Sequence, residues 1–402
     1  MTDLAERSGG PASLAVPQSE PKVAWYNDPG VRSFGYQAIT LAIVAFLVWG
    51  AYSNASRATT ERGIFRGFEL WDTEAGFSIG FSFLPFSIND SLFWAFVVGT
   101  SNTLLVAVVG ILLATLIGFV IGLARLSSNW LISHLAYWYV EIFRNTPLLL
   151  ILVLFYSFKD ALPQVRGIPE NPLGVYVTVR GVFAPKPVLG EGGGMVLWAL
   201  LFAIVLAVGV VIWANRRRML TGKGFPSVSA AFGVVVGLPL LVFLALGAPL
   251  TWDVPRPGGF NIQGGMTMPP EFVAVLAALT LYTAAFIAEN VRAGVTAISR
   301  GQSEAAGAIG LTRGQAMRLV IVPQALRIII PPMTNQYLNL TKNSTLATAI
   351  GYPEIINVGN SALQKVPSAE VVLVWMGVFL FLSLLTSLIM NWYNARIALA
   401  ER

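Results

Sequence analysis

Apolar residues dominate stretches of about twenty positions along the chain, and polar residues collect in short runs between them. A helix needs about 20 such residues to cross a hydrocarbon layer about 30 Å thick. The pattern predicts eight spans, at roughly 34–53, 94–124, 131–157, 195–214, 228–248, 271–297, 325–349 and 370–394. The third span is expected to break at Pro147, which removes a backbone donor and frees carbonyls in mid-helix. The stretches before the second span and after the third are rich in Gly, Pro and aromatic residues, where short strands or interfacial turns can form.

Composition agrees with a polytopic, all-α membrane protein. Only 11% of the 402 residues are charged and 55% are hydrophobic, with a mean hydropathy of +0.68. A soluble domain carries about 25% charged residues. The net charge of +6 does not point to nucleic acid, because the basic residues lie scattered between spans rather than on one patch. Absence of cysteine excludes disulfides, zinc-thiolate sites and Fe–S clusters. TGKG at 221–224 lacks the spacing of a phosphate-binding loop, and no acidic or histidine cluster has metal-ligand spacing.

Charge placement predicts topology. Arg216, Arg217, Arg218 and Lys223 share one short loop, which the positive-inside rule puts in the cytoplasm. Counting spans from there places both termini in the cytoplasm and the long loops 54–92 and 158–194 outside. Residues 1–33 read as a flexible tail with no secretory signal.

Between spans, residues 299–324 read SRGQSEAAGAIGLTRGQAMRLVIVPQ. Gln302–Ile309 favours a helix, Gly310 can close it in the left-handed conformation, and Thr312 with Gln315 forms a capping box that starts a second helix. Glu304-Ala305-Ala306, three residues, Gly310, nine residues and Val320-Ile321-Val322-Pro323 resemble the EAA loop of ABC importer permeases. Valines stand where that pattern has Ile and Leu.

YTAAFIAENVRAGVTAISRGQ from 282, YVEIFRNTPLLLILVLFY at 139–156 and YLNLTKNSTLATAIGYPEI at 337–355 resemble polar amino acid permeases of the histidine/glutamine type. The likeness covers 94–157 and 271–395, which would form a five-span, type I importer core. The first span with its loop (34–93) and the central segment 158–270, with two extra spans, are similar to the long permease subunits of general or acidic/amide amino acid systems.

The resemblance implies a permease in a bacterial inner membrane that works with a second permease, two ATPase subunits and a periplasmic binding protein. ATP and Mg would sit on the ATPases, and this chain would hold no cofactor and catalyse no reaction. Glu304, Ala305, Ala306 and Gly310 would contact the ATPase. An ion- or proton-coupled secondary transporter, or an ABC permease for another solute, is the competing class.

Ionisable groups inside spans are costly and so are candidates for function. Glu141 and Arg144 lie three apart on one helix face, next to Asn145-Thr146-Pro147. Glu289 and Arg292 repeat that spacing, and Lys342-Asn343-Ser344 adds a cation, an amide and a hydroxyl. An amino acid needs acceptors for its ammonium and donors for its carboxylate, which Arg can grip with two bonds. Each Glu-x-x-Arg reads equally as an internal ion pair. Many relatives of this type carry Lys-Asp where this chain has Lys342-Asn343, and loss of that carboxylate favours acidic or amide ligands. Gly118 and Gly122 form a GxxxG whose partner helix is open.

Overall fold

The computed structural model describes residues 29–62, 71–222, 224–365 and 369–397. The expected tail lies outside the described residues up to Asp28, as does part of the loop expected over 54–92. Helix α1 (Pro29–Arg62), with an apolar span over Arg32–Asn54, belongs to a unit of its own, Met1–Arg66.

Everything from Gly67 onward forms the second unit. Its centre is α7 (Pro270–Thr296), against which α2 (Leu92–Ala124), α3 (Trp130–Asn145), α4 (Leu148–Ser157) and α10 (Val322–Asn343) pack. Small residues explain the closest of these contacts. Ala107, Gly110, Ala114, Gly118 and Gly122 are buried along one stripe of α2. A Cβ built on Gly118 would lie 2.6 Å from Ile287 Cγ2, and one on Gly122 would lie 2.8 Å from the Ala288 carbonyl oxygen. The GxxxG therefore seats α7 of the same chain. In lipid, close van der Waals packing of this kind replaces the hydrophobic drive available in water.

α3 and α4 meet at 106°, with the break at Thr146–Pro147, where a bend was expected. With that pair counted once, seven spans among the described residues are long and apolar enough to cross a membrane. The fifth expected span, 228–248, is instead α6 (Ser227–Ala245), whose apolar part covers only Ser229–Ala245. It ends early because Gly247 and Ala248 turn the chain through positive φ, 77° and 54°, into a strand. α6 packs on α5 (Gly193–Thr221), whose buried side is Ala199, Ala203, Ala207 and Ala214.

Strands β1 (Tyr176–Thr178), β2 (Gly181–Ala184), β3 (Lys186–Leu189), β4 (Leu250–Asp253), β5 (Arg256–Pro257), β6 (Ile262–Gln263) and β7 (Met266–Met268) form a cap from both sides of the α5–α6 hairpin. β1, β2 and β7 make one antiparallel sheet, while β3 pairs with β4 and β5 with β6. Val165, Tyr176, Phe183 and Ile262 fill its small core.

Asn102 on α2, fully buried, fastens the cap end of the bundle. Its amide donates to the carbonyls of Phe81 (2.9 Å) and Pro353 (2.8 Å) and accepts from the Phe83 N–H (3.0 Å). Tyr352 in turn donates to the Asn102 carbonyl (3.1 Å). Glu354 then caps α11 (Ile355–Lys365), accepting from the Asn357 N–H, and α12 (Ala369–Ile397) closes the unit.

Candidate functional site

The 299–321 segment is a helix, a tight turn and a second helix. α8 (Arg300–Ala308) closes through Gly310, at φ 83°, with the Leu311 N–H on the Ala306 carbonyl (3.1 Å). Thr312 and Gln315 form the capping box that opens α9 (Arg313–Ala316), followed by a π-helical turn over Met317–Ile321. Gln324 on α10 donates to Gln302 on α8 (3.1 Å), which ties the segment to the spans. Ala306 is buried, while Glu304, Ala305, Gly307 and Ile309 are exposed. The outer face of α8 is thus one carboxylate on a thin Ala/Gly surface, with an exposed isoleucine (76%) at its end. The cap runs into the start of α7 and this segment follows its end. A helix of 27 residues separates the two by about 40 Å.

The charged residues divide into two groups. Near the end of α7, the two carboxylate oxygens of Glu289 are taken by two guanidinium groups. Arg292 reaches both oxygens, at 2.5–3.2 Å, and Arg125 at the end of α2 pairs with the second. Arg144 lies over the Phe286 ring at 5.5 Å, one turn along α7, and Arg125 over Tyr137 at 5.4 Å. Glu141 accepts from Asn145 (3.0 Å) rather than from Arg144, and Thr146 donates to the Ile142 carbonyl at the break (2.7 Å). Among the described residues Arg144 has no carboxylate partner. It stands beside the start of α4, where Pro147 occupies the cap position without a side-chain bond.

Lys342, Asn343 and Ser344 belong to the second group. They sit where α10 tightens into a 3-10 turn over Ser344–Ile350. A Cβ on Gly110 would touch the Leu340 side chain, so this turn lies level with the middle of α2. Arg125 is 15 residues further along, about 22 Å at 1.5 Å per residue. One amino acid cannot touch both groups. Ser344 is buried and donates to the Thr341 carbonyl (2.7 Å), Asn343 is half-buried, and Lys342 is exposed with no carboxylate partner among the described residues.

A family described as the binding-protein-dependent transport system inner membrane component matches residues 110–399. The chain belongs to that family. The general L-amino acid transport system permease protein AapQ of Rhizobium johnstonii is 48% identical over 377 residues, 93% of this chain and 94% of its own. The glutamate/glutamine/aspartate/asparagine transport system permease protein BztB of Rhodobacter capsulatus is 37% identical over 429 residues, 97% of this chain and 100% of its own. Such coverage aligns the central segment 158–270 as well. A crystal structure of an amino acid ABC transporter with histidines covers 76% of this chain and 94% of its own, at 20% identity and a TM-score of 0.45.

In this permease the structure adds residues that the sequence reading passed over. Asn335, Asn339 and Lys342 are exposed at spacings of four and three, so they make one polar stripe along α10, opposite buried Ile330, Met333 and Leu340. Polar groups on a span must face a water-filled path or another polar surface. The stripe is written in the spacing, but it was read as a linear cluster around Lys342. Arg125 carried a weaker signal, a lone cation just past a span.

Proposed function

We propose that this chain is the permease subunit of an ATP-driven importer for polar L-amino acids, among them glutamate, glutamine, aspartate and asparagine, in a bacterial inner membrane. The observation that carries the reading is the helix–Gly310–helix segment at the end of α7, exposed and thin enough to enter a cleft of another protein. There it takes up the motion of a cytoplasmic ATPase that binds ATP and Mg. The full importer has this chain, a homologous second permease, two ATPase subunits and a periplasmic binding protein, with both termini of this chain in the cytoplasm. ATP-driven closure pulls the coupling segments together and favours the outward state, and hydrolysis resets it. The amino acids in the names of AapQ and BztB support the substrate class.

Within the membrane, Arg144 takes the α-carboxylate, aided by the free N–H groups at the start of α4. Lys342 and Asn343, with Asn335 and Asn339 below them on the same helix, line the path further along and meet the substrate side chain at a separate stop, before or after Arg144 holds the carboxylate. Glu289 and Arg292, already satisfied through Arg125, hold α2 to α7.

The test is uptake by the full complex in proteoliposomes. Arg144→Lys, which cannot grip a carboxylate with two parallel bonds, lowers uptake of every substrate while the binding protein's affinity stays unchanged. Asn343→Asp lowers glutamate and aspartate uptake more than glutamine and asparagine uptake. A like charge 4 Å away costs roughly 4 kcal/mol at an effective dielectric of 20. Equal losses for acids and amides remove Asn343 from the ligand side chain. Uptake driven by a proton gradient without ATP removes the importer reading altogether.

A further inference from the structure

The cap has no role in the coupling scheme, yet its β5–β6 hairpin carries an exposed aromatic ring. β5 and β6 are joined by Gly258–Asn261, which places Phe260 at the tip with 76% of its surface exposed. The turn is closed by the Gly258 N–H on the Asn261 carbonyl (2.7 Å), with Gly259 at φ 75°. Ile262, the first residue after the turn, is buried in the cap core. Two arginines from other segments hold the tip. The Arg166 guanidinium lies 5.4 Å from the Phe260 ring centre, and Arg180 Nη1 reaches the Phe260 carbonyl and Asn261 Oδ1, each at 3.4 Å. Arg256 stands on the same hairpin, opposite Gln263. Among the described residues, none of these three arginines has a carboxylate within ion-pair distance.

We propose that the Phe260 tip with Arg166, Arg180 and Arg256 is a docking surface for the importer's soluble binding protein, which presents carboxylates around an apolar notch. The proposal rests on the importer reading above. Aromatic and Arg side chains dominate the energetics of protein interfaces because they bury large area at small entropic cost. Here part of that cost is already met, since the turn and Arg180 hold the Phe260 backbone and Arg166 lies over the ring. Unpaired guanidinium groups also steer and select an acidic partner. A bilayer surface accepts Phe and Arg too. The ring, however, has the Arg166 guanidinium over it and stands on a closed turn of a folded sheet, which suits a shaped protein pocket better than fluid hydrocarbon.

The chain contains no cysteine, so Phe260→Cys carries a single nitroxide label in the reconstituted complex. The label is expected to be open to a water-soluble nickel relaxant and to become immobile when substrate-loaded binding protein is added. Arg166→Glu with Arg180→Glu is expected to raise, about tenfold, the binding-protein concentration that half-stimulates ATPase activity. Basal and maximal rates should stay unchanged, which also reports that the cap is folded, and Arg180→Lys should stay near wild type. Unchanged half-stimulation, or a label that oxygen relaxes from within the bilayer, overturns the docking surface while leaving the importer intact. A wild-type complex that binding protein does not stimulate defeats the importer reading and this surface with it.

Discussion

Gly310 is the residue on which the helix–turn–helix segment after α7 turns. Its φ of 83° is reached at a point where an added Cβ would meet nothing within 4 Å. Any penalty for substitution is therefore a backbone penalty, about 1–2 kcal/mol for an ordinary L-residue in the left-handed region. Asn tolerates that region better than other side chains. Gly310→Asn should keep most of the uptake per ATP hydrolysed, and Gly310→Val should lose most of it while the chain still inserts into the membrane. Equal effects of Asn and Val would mean that space outside the turn, rather than the turn itself, limits coupling. Glu304 and Ala305 need no such conformation and lie exposed on α8.

At the scale of elements, the α2–α7 seam sets how closely the core packs. The three α2 glycines along it are not equivalent. A Cβ on Gly110 would meet Leu340 at an ordinary 3.4 Å, whereas those on Gly118 and Gly122 would press on Ile287, Val291 and backbone carbonyls at 2.6–3.0 Å. Gly110→Ala should leave the unfolding midpoint in detergent nearly unchanged. Gly118→Ala and Gly122→Ala should each lower stability by about 1–3 kcal/mol, the usual penalty of overpacking. Similar midpoints for all three variants would show that the seam opens freely. The Arg125–Glu289–Arg292 group lies at the end of the same pair of helices, so seam and ion pairs act on one joint.

At the largest scale, α7 organises the unit from Gly67 onward, with the β-cap at its start and the helix–turn–helix segment past its end. Both ends of the α5–α6 hairpin are held at the cap through the β3–β4 ladder, so the arginine-rich end of α5 points away from it. Labelling of single cysteines in intact cells tests this arrangement against a membrane. Ile309→Cys and Arg217→Cys should react only from the cytoplasmic side, and Leu173→Cys, on the cap, only from outside. Reaction of positions 173 and 217 from one side would mean that the hairpin does not cross.

The spans, the break at Pro147, the capping box at Thr312 and the turn at Gly310 were legible in the sequence. Each depends on hydropathy, a missing donor or a cap within a few residues, and so is settled locally. Even the shortfall at 228–248 is local, since hydropathy counted apolar residues that a positive-φ turn takes out of the helix. Which side chains meet was a different matter. Glu289 and Arg292 read as a pair of their own, but Arg125, 164 positions away, joins them only because α2 and α7 pack through Gly118 and Gly122. Glu141 accepts from Asn145 while Arg144 lies over Phe286, and the turn at Lys342 stands about 22 Å along α2 from Arg125 because α10 meets α2 near its middle. The cap strands pair across the α5–α6 hairpin, and Asn102 joins segments 251 positions apart. Hydropathy and capping act along the chain, whereas these contacts depend on which helix faces turn toward each other, and only packing selects those faces.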